Sequence, residues 1–244
     1  MTAANALRLA VLVLLVALVV HPQWFEVFFA PLAPEGGPVM YERASLLSLS
    51  LNHLGLVFAA SGAATLVAVA LAILVTRPAG AAFRPLARSI ANMGQTFPPV
   101  AVLALAVPSL GFGSGPTLVA LFLYGLLPIL ENAITGLTNL PRATMEAARG
   151  IGLSRWQSLT RVEIPLALPV ILTGIRLSVV IALATATIGS TVAARTLGEV
   201  IIAGLLTNNT AFVLQGGLIV GLFAVLIYDA MGQIEALLVH SARI

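Results

Sequence analysis

Long apolar runs separated by short polar intervals dominate the chain, and their lengths predict helices that cross a bilayer. At about 1.5 Å rise per residue, a hydrocarbon core takes roughly 20 residues of helix. The runs fall at approximately 4–20, 46–76, 88–108, 116–138, 165–192 and 213–238, which predicts about six spans. The first is the shortest and carries Arg8, and it ends in Val19-Val20-His21-Pro22 with no small-x-small cleavage site. That ending favours a retained anchor over a cleaved signal peptide. The 46–76 run exceeds a minimal span and predicts tilt or an extramembrane first turn. Helix-breaking residues cluster in the third and fourth runs: Phe97-Pro98-Pro99, Pro108 and the exit Gly111-Phe112-Gly113, then Gly125 and Pro128. Non-helical backbone at membrane depth survives where it is buried in protein or lines a wet cavity. The cluster therefore points to a water-filled path, with kinking for packing as the plainer alternative.

Composition agrees with the pattern. Hydrophobic residues make up 59% of the chain and charged residues 9%, with a mean hydropathy of +1.06. A soluble domain carries about a quarter charged residues, so this is an integral membrane protein. The absence of cysteine closes disulfide and thiolate-metal readings. All 12 basic residues are arginine, and a net charge of +3 on scattered carriers gives no reason to expect nucleic acid. If the polar loop 139–163 is cytoplasmic, alternation places Arg8, Arg77, Arg84, Arg88, Arg142, Arg149, Arg155, Arg161 and Arg243 on that side. Only Arg43 and Arg195 then fall outside, and Arg176 lies within the fifth span. That bias fits the positive-inside rule and predicts both termini in the cytoplasm. In the external segment 21–45, Trp24, Phe25, Phe28 and Phe29 read first as an interfacial aromatic belt.

The densest polar stretch lies between Glu146 and Pro165. Pro141 suits a first helical turn, and the residues up to Gly150 are mostly good helix formers. Ala143, Ala147 and Gly150 lie at i, i+4 and i+7, giving one nearly side-chain-free face that permits close approach to a partner. Gly152 suits a C-cap or turn, Ser154 an N-cap, and Pro165 restricts Ile164 before the next span begins. An ordinary amphipathic connector is the plainer alternative. Written as a pattern, the stretch is Glu146-Ala147-Ala148, three residues, Gly152, nine residues, then Val162-Glu163-Ile164-Pro165. It resembles the EAA loop of the membrane subunit of bacterial ATP-binding-cassette (ABC) importers.

That resemblance implies an all-α, polytopic membrane protein with a MetI-like ABC importer permease core over 46–238. An N-terminal transmembrane anchor helix and external loop, 1–45, would precede it, and a cytoplasmic tail, 239–244, would follow. Loop 139–163 would be a helix-turn-helix docking on a separate ATPase, with Glu146, Ala147, Ala148, Gly150, Gly152 and Pro165 as its coupling residues. Further segments resemble the quaternary-amine branch of these permeases, which takes up osmoprotectants such as glycine betaine, choline and carnitine. They are Gln95-Thr96-Phe97-Pro98-Pro99, Leu127-Pro128-Ile129-Leu130, Asn132, Thr135-Gly136-Leu137, Ala184-Thr185-Ala186-Thr187-Ile188 and Leu197-Gly198. On this resemblance Gln95, Pro98, Pro99, Glu131, Asn132, Arg176, Thr185 and Thr187 are expected in the translocation path or its gate. Two departures bear on gating or substrate choice. Glu131 stands where many members carry a basic residue, and Arg195-Thr196 where many carry a Gly-Gly pair. The alternatives are a same-fold permease for an amino acid, oxyanion or metal, or an ion-driven secondary transporter.

Charge within a span is costly and usually has a partner. Glu131 and Arg176 are expected to pair, or Glu131 to face the pore as a cation-friendly gate; alternatively both snorkel to water. Asp229 reads as interfacial or structural, and His53 as a satisfied polar contact. No catalytic constellation is present: His21, His53 and His240 are isolated, and there is no H-E-x-x-H or P-loop signature. The chain is therefore expected to bind no metal or cofactor, with ATP and magnesium on the partner ATPase. The other partners implied are a periplasmic or lipoprotein substrate-binding protein, a second permease copy or paralogue, and membrane lipid. Quaternary ammonium groups are commonly held in aromatic boxes, and with aromatics at 6% that box is expected on the binding protein. The expected location is the bacterial inner (cytoplasmic) membrane, crossed several times.

Overall fold

The computed structural model describes residues 3–241. Arg243 and the end of the expected 239–244 tail lie outside the described residues. Every regular element among the described residues is helical. The principal helices are Ala3–Val20, Leu46–Thr76, Arg84–Thr96, Pro99–Leu110, Ser114–Thr138, Arg142–Gly150, Ile164–Ala186, Gly198–Leu206 and Thr210–Ser241. Four helical stretches are long and apolar enough to cross a membrane, and the number rises to six if two bent pairs each count as one span.

The third expected span is one of those pairs. Helices Ala81–Thr96 and Pro99–Leu110 form a bent pair broken at Phe97-Pro98. Phe97 and Pro98 each precede a proline, which drives both into extended backbone with ψ of 135° and 138°. In the first pair, the N-terminal helix turns by 109° into the short helical turns of Pro22–Leu32, within the expected external loop.

By contact the chain divides into two units, each with its own core. One comprises the chain up to Ala60 with Pro98–Leu121 and Val180–Asp229. In its core, Leu15, Leu18 and Val19 of the first helix and Phe29 of the following turns pack with Leu46, Leu49, Leu197, Val200, Phe212 and Ile219. The segment before Leu46 is thus part of this core. Buried carboxamides hold its end: Gln215 donates to Val39 O at 2.7 Å and accepts from Tyr41 N at 3.1 Å, while Asn209 donates to Pro38 O at 2.8 Å. The Tyr41 ring meets Phe212 edge-on, and its hydroxyl donates to Glu199 Oε1 at 2.6 Å. Arg8 makes a two-pronged contact with Asp229, Nε to Oδ2 at 2.8 Å and Nη2 to Oδ1 at 3.0 Å, which gives Asp229 a structural role. His53 is fully buried, with Nε2 3.1 Å from Leu183 O.

The other unit comprises Ser61–Phe97, Phe122–Val179 and the chain from Ala230. Its core sets an alanine stripe, Ala64, Ala68 and Ala72, with Leu126, Ile129, Leu130, Ala133, Ile134 and Leu137, joined by Ala167 and Ile171. Lipid tails are as apolar as leucine, so helices here associate by close van der Waals contact, which small side chains allow. Gly174 marks one such tight approach: a Cβ there would sit 2.8 Å from Pro128 O and 2.7 Å from Asn132 Cβ.

Candidate functional site

The polar stretch 141–165 folds as the local sequence dictates. Helix Arg142–Gly150 ends in a Schellman motif: Gly152, at φ +78°, donates to Arg149 O at 3.0 Å, and Leu153 N donates to Ala148 O at 3.1 Å. Ser154 then opens a short helix with a capping box, its hydroxyl accepting from Gln157 N at 3.3 Å while Gln157 Oε1 accepts from Ser154 N at 2.9 Å. A π-helical turn, Leu159–Glu163, leads into the helix Ile164–Ala186, with Pro165 in its first turn. Ala143, Glu146, Ala147 and Gly150 are exposed, and the adjoining turns present Ile151 and Trp156 at 77% and 71% exposure. Ala148, expected at the docking face, is instead buried in the chain's own interior.

The connector is tied down by a residue that sequence reasoning passes over. Glu163 is buried, Arg77 Nη2 lies 2.6 Å from its Oε2, and Ser158 Oγ donates to its Oε1 at 3.0 Å. The motif fixes the residues on either side of position 163 and leaves that position open, so the pattern carries no signal for it.

In the same unit lies a polar groove of about 300 Å³ lined by Arg88, Ser89, Asn92, Leu127 and Glu131. The expected Glu131–Arg176 pair is not formed. Glu131 Oε2 lies 2.9 Å from Arg88 Nη2, and Arg176 Nη1 lies 3.4 Å from Glu235 Oε2. Each charge takes an opposite charge from a different helix, and Thr173 Oγ1 also donates to Glu235, at 3.2 Å. Gln95 fills a gap in a neighbouring helix. Pro128 has no N–H to offer Tyr124 O, and Gln95 Nε2 supplies the missing donor at 2.8 Å. The Tyr124 hydroxyl in turn donates to Phe97 O at the helix break. Asn132 returns its amide to Pro128 O at 2.8 Å and packs at Gly174 rather than lining the groove. Thr185 and Thr187 belong to the other unit, as do Pro98 and Pro99. Both hydroxyls bond back to their own helix, at Ile181 O and Ala184 O.

Membrane-length helices joined in part by a capped two-helix connector define the class, a polytopic helical membrane protein. The inward-facing methionine transporter MetNI matches over 82% of this chain and 99% of that chain, with a TM-score of 0.71 at 20% identity, a likeness of fold alone. Residues 51–238 match the model of the binding-protein-dependent transport system inner membrane component, and the chain belongs to that family. It is 42% identical over 185 residues to the osmoprotectant import permease protein OsmY of Salmonella typhimurium, covering 76% of this chain and 78% of that one. It is 34% identical over 202 residues to the glycine betaine/carnitine/choline transport system permease protein OpuCB of Bacillus subtilis, covering 80% and 86%.

Proposed function

We propose that this chain is the translocation subunit of an ATP-driven importer for quaternary ammonium osmoprotectants such as glycine betaine or choline. The observation that carries the coupling part is the connector: a helix rigidly ended at Gly152 that exposes Ala143, Ala147 and Gly150, with Ile151 and Trp156 alongside. A bare, small-residue face flanked by unburied apolar side chains suits close docking on another protein. In this reading the connector faces the cytoplasm with both termini and meets a separate ATPase subunit that carries ATP and magnesium. Glu163 and Arg77 transmit the movement of the connector to the helix Leu46–Thr76. A substrate-binding protein delivers the solute from outside, and a second permease copy or paralogue completes the pore. The substrate class is supported by relatives whose names give osmoprotectant or glycine betaine/carnitine/choline transport.

The test is uptake of labelled glycine betaine into vesicles holding the permease, ATPase and binding protein, with choline, carnitine and amino acids as competitors. Competition by the quaternary amines alone is expected; competition by amino acids alone would replace the substrate class. Ala147→Arg, which puts bulk on the exposed face, should abolish uptake while leaving membrane assembly intact. Undiminished uptake in that variant would remove the docking role.

A further inference from the structure

Within the unit that includes Pro98–Leu121 and Val180–Asp229 lies a second cavity, of about 540 Å³. Its polar lining is Asn52, Ser114 and Arg195, with Gly55 and Ala193 among the remaining residues, and it contains no carboxylate. The ion pairs among the described residues engage Arg8, Arg77, Arg88 and Arg176, and none takes Arg195. A guanidinium lining a cavity with an amide and a hydroxyl, and with no acid in the lining, presents donors that suit an anionic oxygen group.

The backbone that carries Arg195 is fixed from several directions. Thr196 is fully buried, and its hydroxyl bonds Ala186 O at 3.0 Å, Ser190 Oγ at 2.8 Å and Gly198 N at 3.2 Å. Ser190 Oγ also reaches Ala194 O at 3.1 Å, and Gly113 N donates to Val192 O at 2.6 Å. Ala193, on the cavity wall, is held at φ +63°, a left-handed conformation that disfavours a residue with a Cβ. Such strain persists where surrounding contacts over-determine it, and it often accompanies a functional constraint.

We infer that Arg195 makes this cavity a station for the carboxylate of betaine-type solutes, so that it favours zwitterions such as glycine betaine and carnitine over choline. This rests on the quaternary-ammonium reading above and adds a chemical distinction within it. Glycine betaine and carnitine carry a carboxylate some bonds away from the trimethylammonium group. The carboxylate meets the guanidinium while the ammonium points away from it. Choline carries the same cation without the anion, so it gains no charge-assisted hydrogen bond from Arg195.

The complete importer, with its ATPase and binding protein, is reconstituted in vesicles, and uptake of glycine betaine, carnitine and choline is measured at concentrations saturating the binding protein. Dividing the variant rate by the wild-type rate for each solute cancels the preference of the binding protein. Arg195→Gln is expected to lower uptake of the two zwitterions by at least about tenfold, the scale of one charge-assisted hydrogen bond, and to leave choline within about twofold. Arg195→Lys is expected to retain most zwitterion uptake, because it keeps the charge. An equal loss for all three solutes would assign Arg195 to packing or to a lipid phosphate and overturn the inference alone, as would no loss at all. A wild-type complex that moves choline but neither zwitterion would also overturn it. A wild-type complex that moves none of the three would remove the quaternary-ammonium reading and this inference with it.

Discussion

Glu163 is almost out of contact with solvent yet holds two partners, the guanidinium of Arg77 and the hydroxyl of Ser158. Removing the carboxylate leaves a partly buried Arg77 without its counter-charge, so Glu163→Ala is expected to cost about 1–3 kcal/mol in thermal unfolding in detergent. The double variant Arg77→Ala/Glu163→Ala should cost less than the sum of the singles, and strict additivity would deny the coupling. Residues whose roles are set by adjacent backbone are legible in the sequence. Gly152 takes positive φ and Ser154 caps, each as its own neighbours require. Side-chain partners are a different matter. Glu131 meets Arg88 and Arg176 meets Glu235, across distances in sequence that no local pattern encodes.

At the scale of elements, helix breaks are legible in place. Consecutive prolines mark the interruption at 97–99, where Phe97 and Pro98 are both extended. The Pro128 position illustrates how such a break is compensated. The carbonyl of Tyr124 has lost its helical donor, and Gln95 replaces it from another helix. Gln95→Leu is therefore expected to destabilise the protein by about 1 kcal/mol, the net worth of one part-buried hydrogen bond. In a Pro128→Ala background, the restored backbone N–H can serve Tyr124 O, and the cost of Gln95→Leu should largely vanish. Equal costs in both backgrounds, read from thermal unfolding, would refute this account.

For the molecule as a whole, hydropathy identifies the apolar runs and the connector motif identifies the class, because both are written in contiguous residues. The attachment of the first 45 residues is written elsewhere, in Glu199, Asn209, Gln215 and Asp229. Tyr41, in the loop before Leu46, shows the energetic sign of that attachment. Burial, and then the hydrogen bond to the Glu199 carboxylate, push its phenol up to about 12 from 10.0. The fold thus favours the neutral phenol; the stabilisation is complete below pH 10 and is lost as pH rises through about 12. Tyr41→Phe should melt below wild type at pH 8, with the gap closing as pH climbs through that window. A gap that widened with alkali would contradict the assignment.

Gln215 spends both ends of its amide on the main chain of residues 39–41, and Asn209 gives its N–H to Pro38 O while its oxygen accepts from Phe212 N. The course of the segment is thus held through its backbone, while Tyr41 is also gripped by its side chain, at Glu199 and Phe212. Deleting it is another matter. The Gln215 amide and the Asn209 N–H would be left buried without partners, a cost that any form lacking the segment has to offset elsewhere.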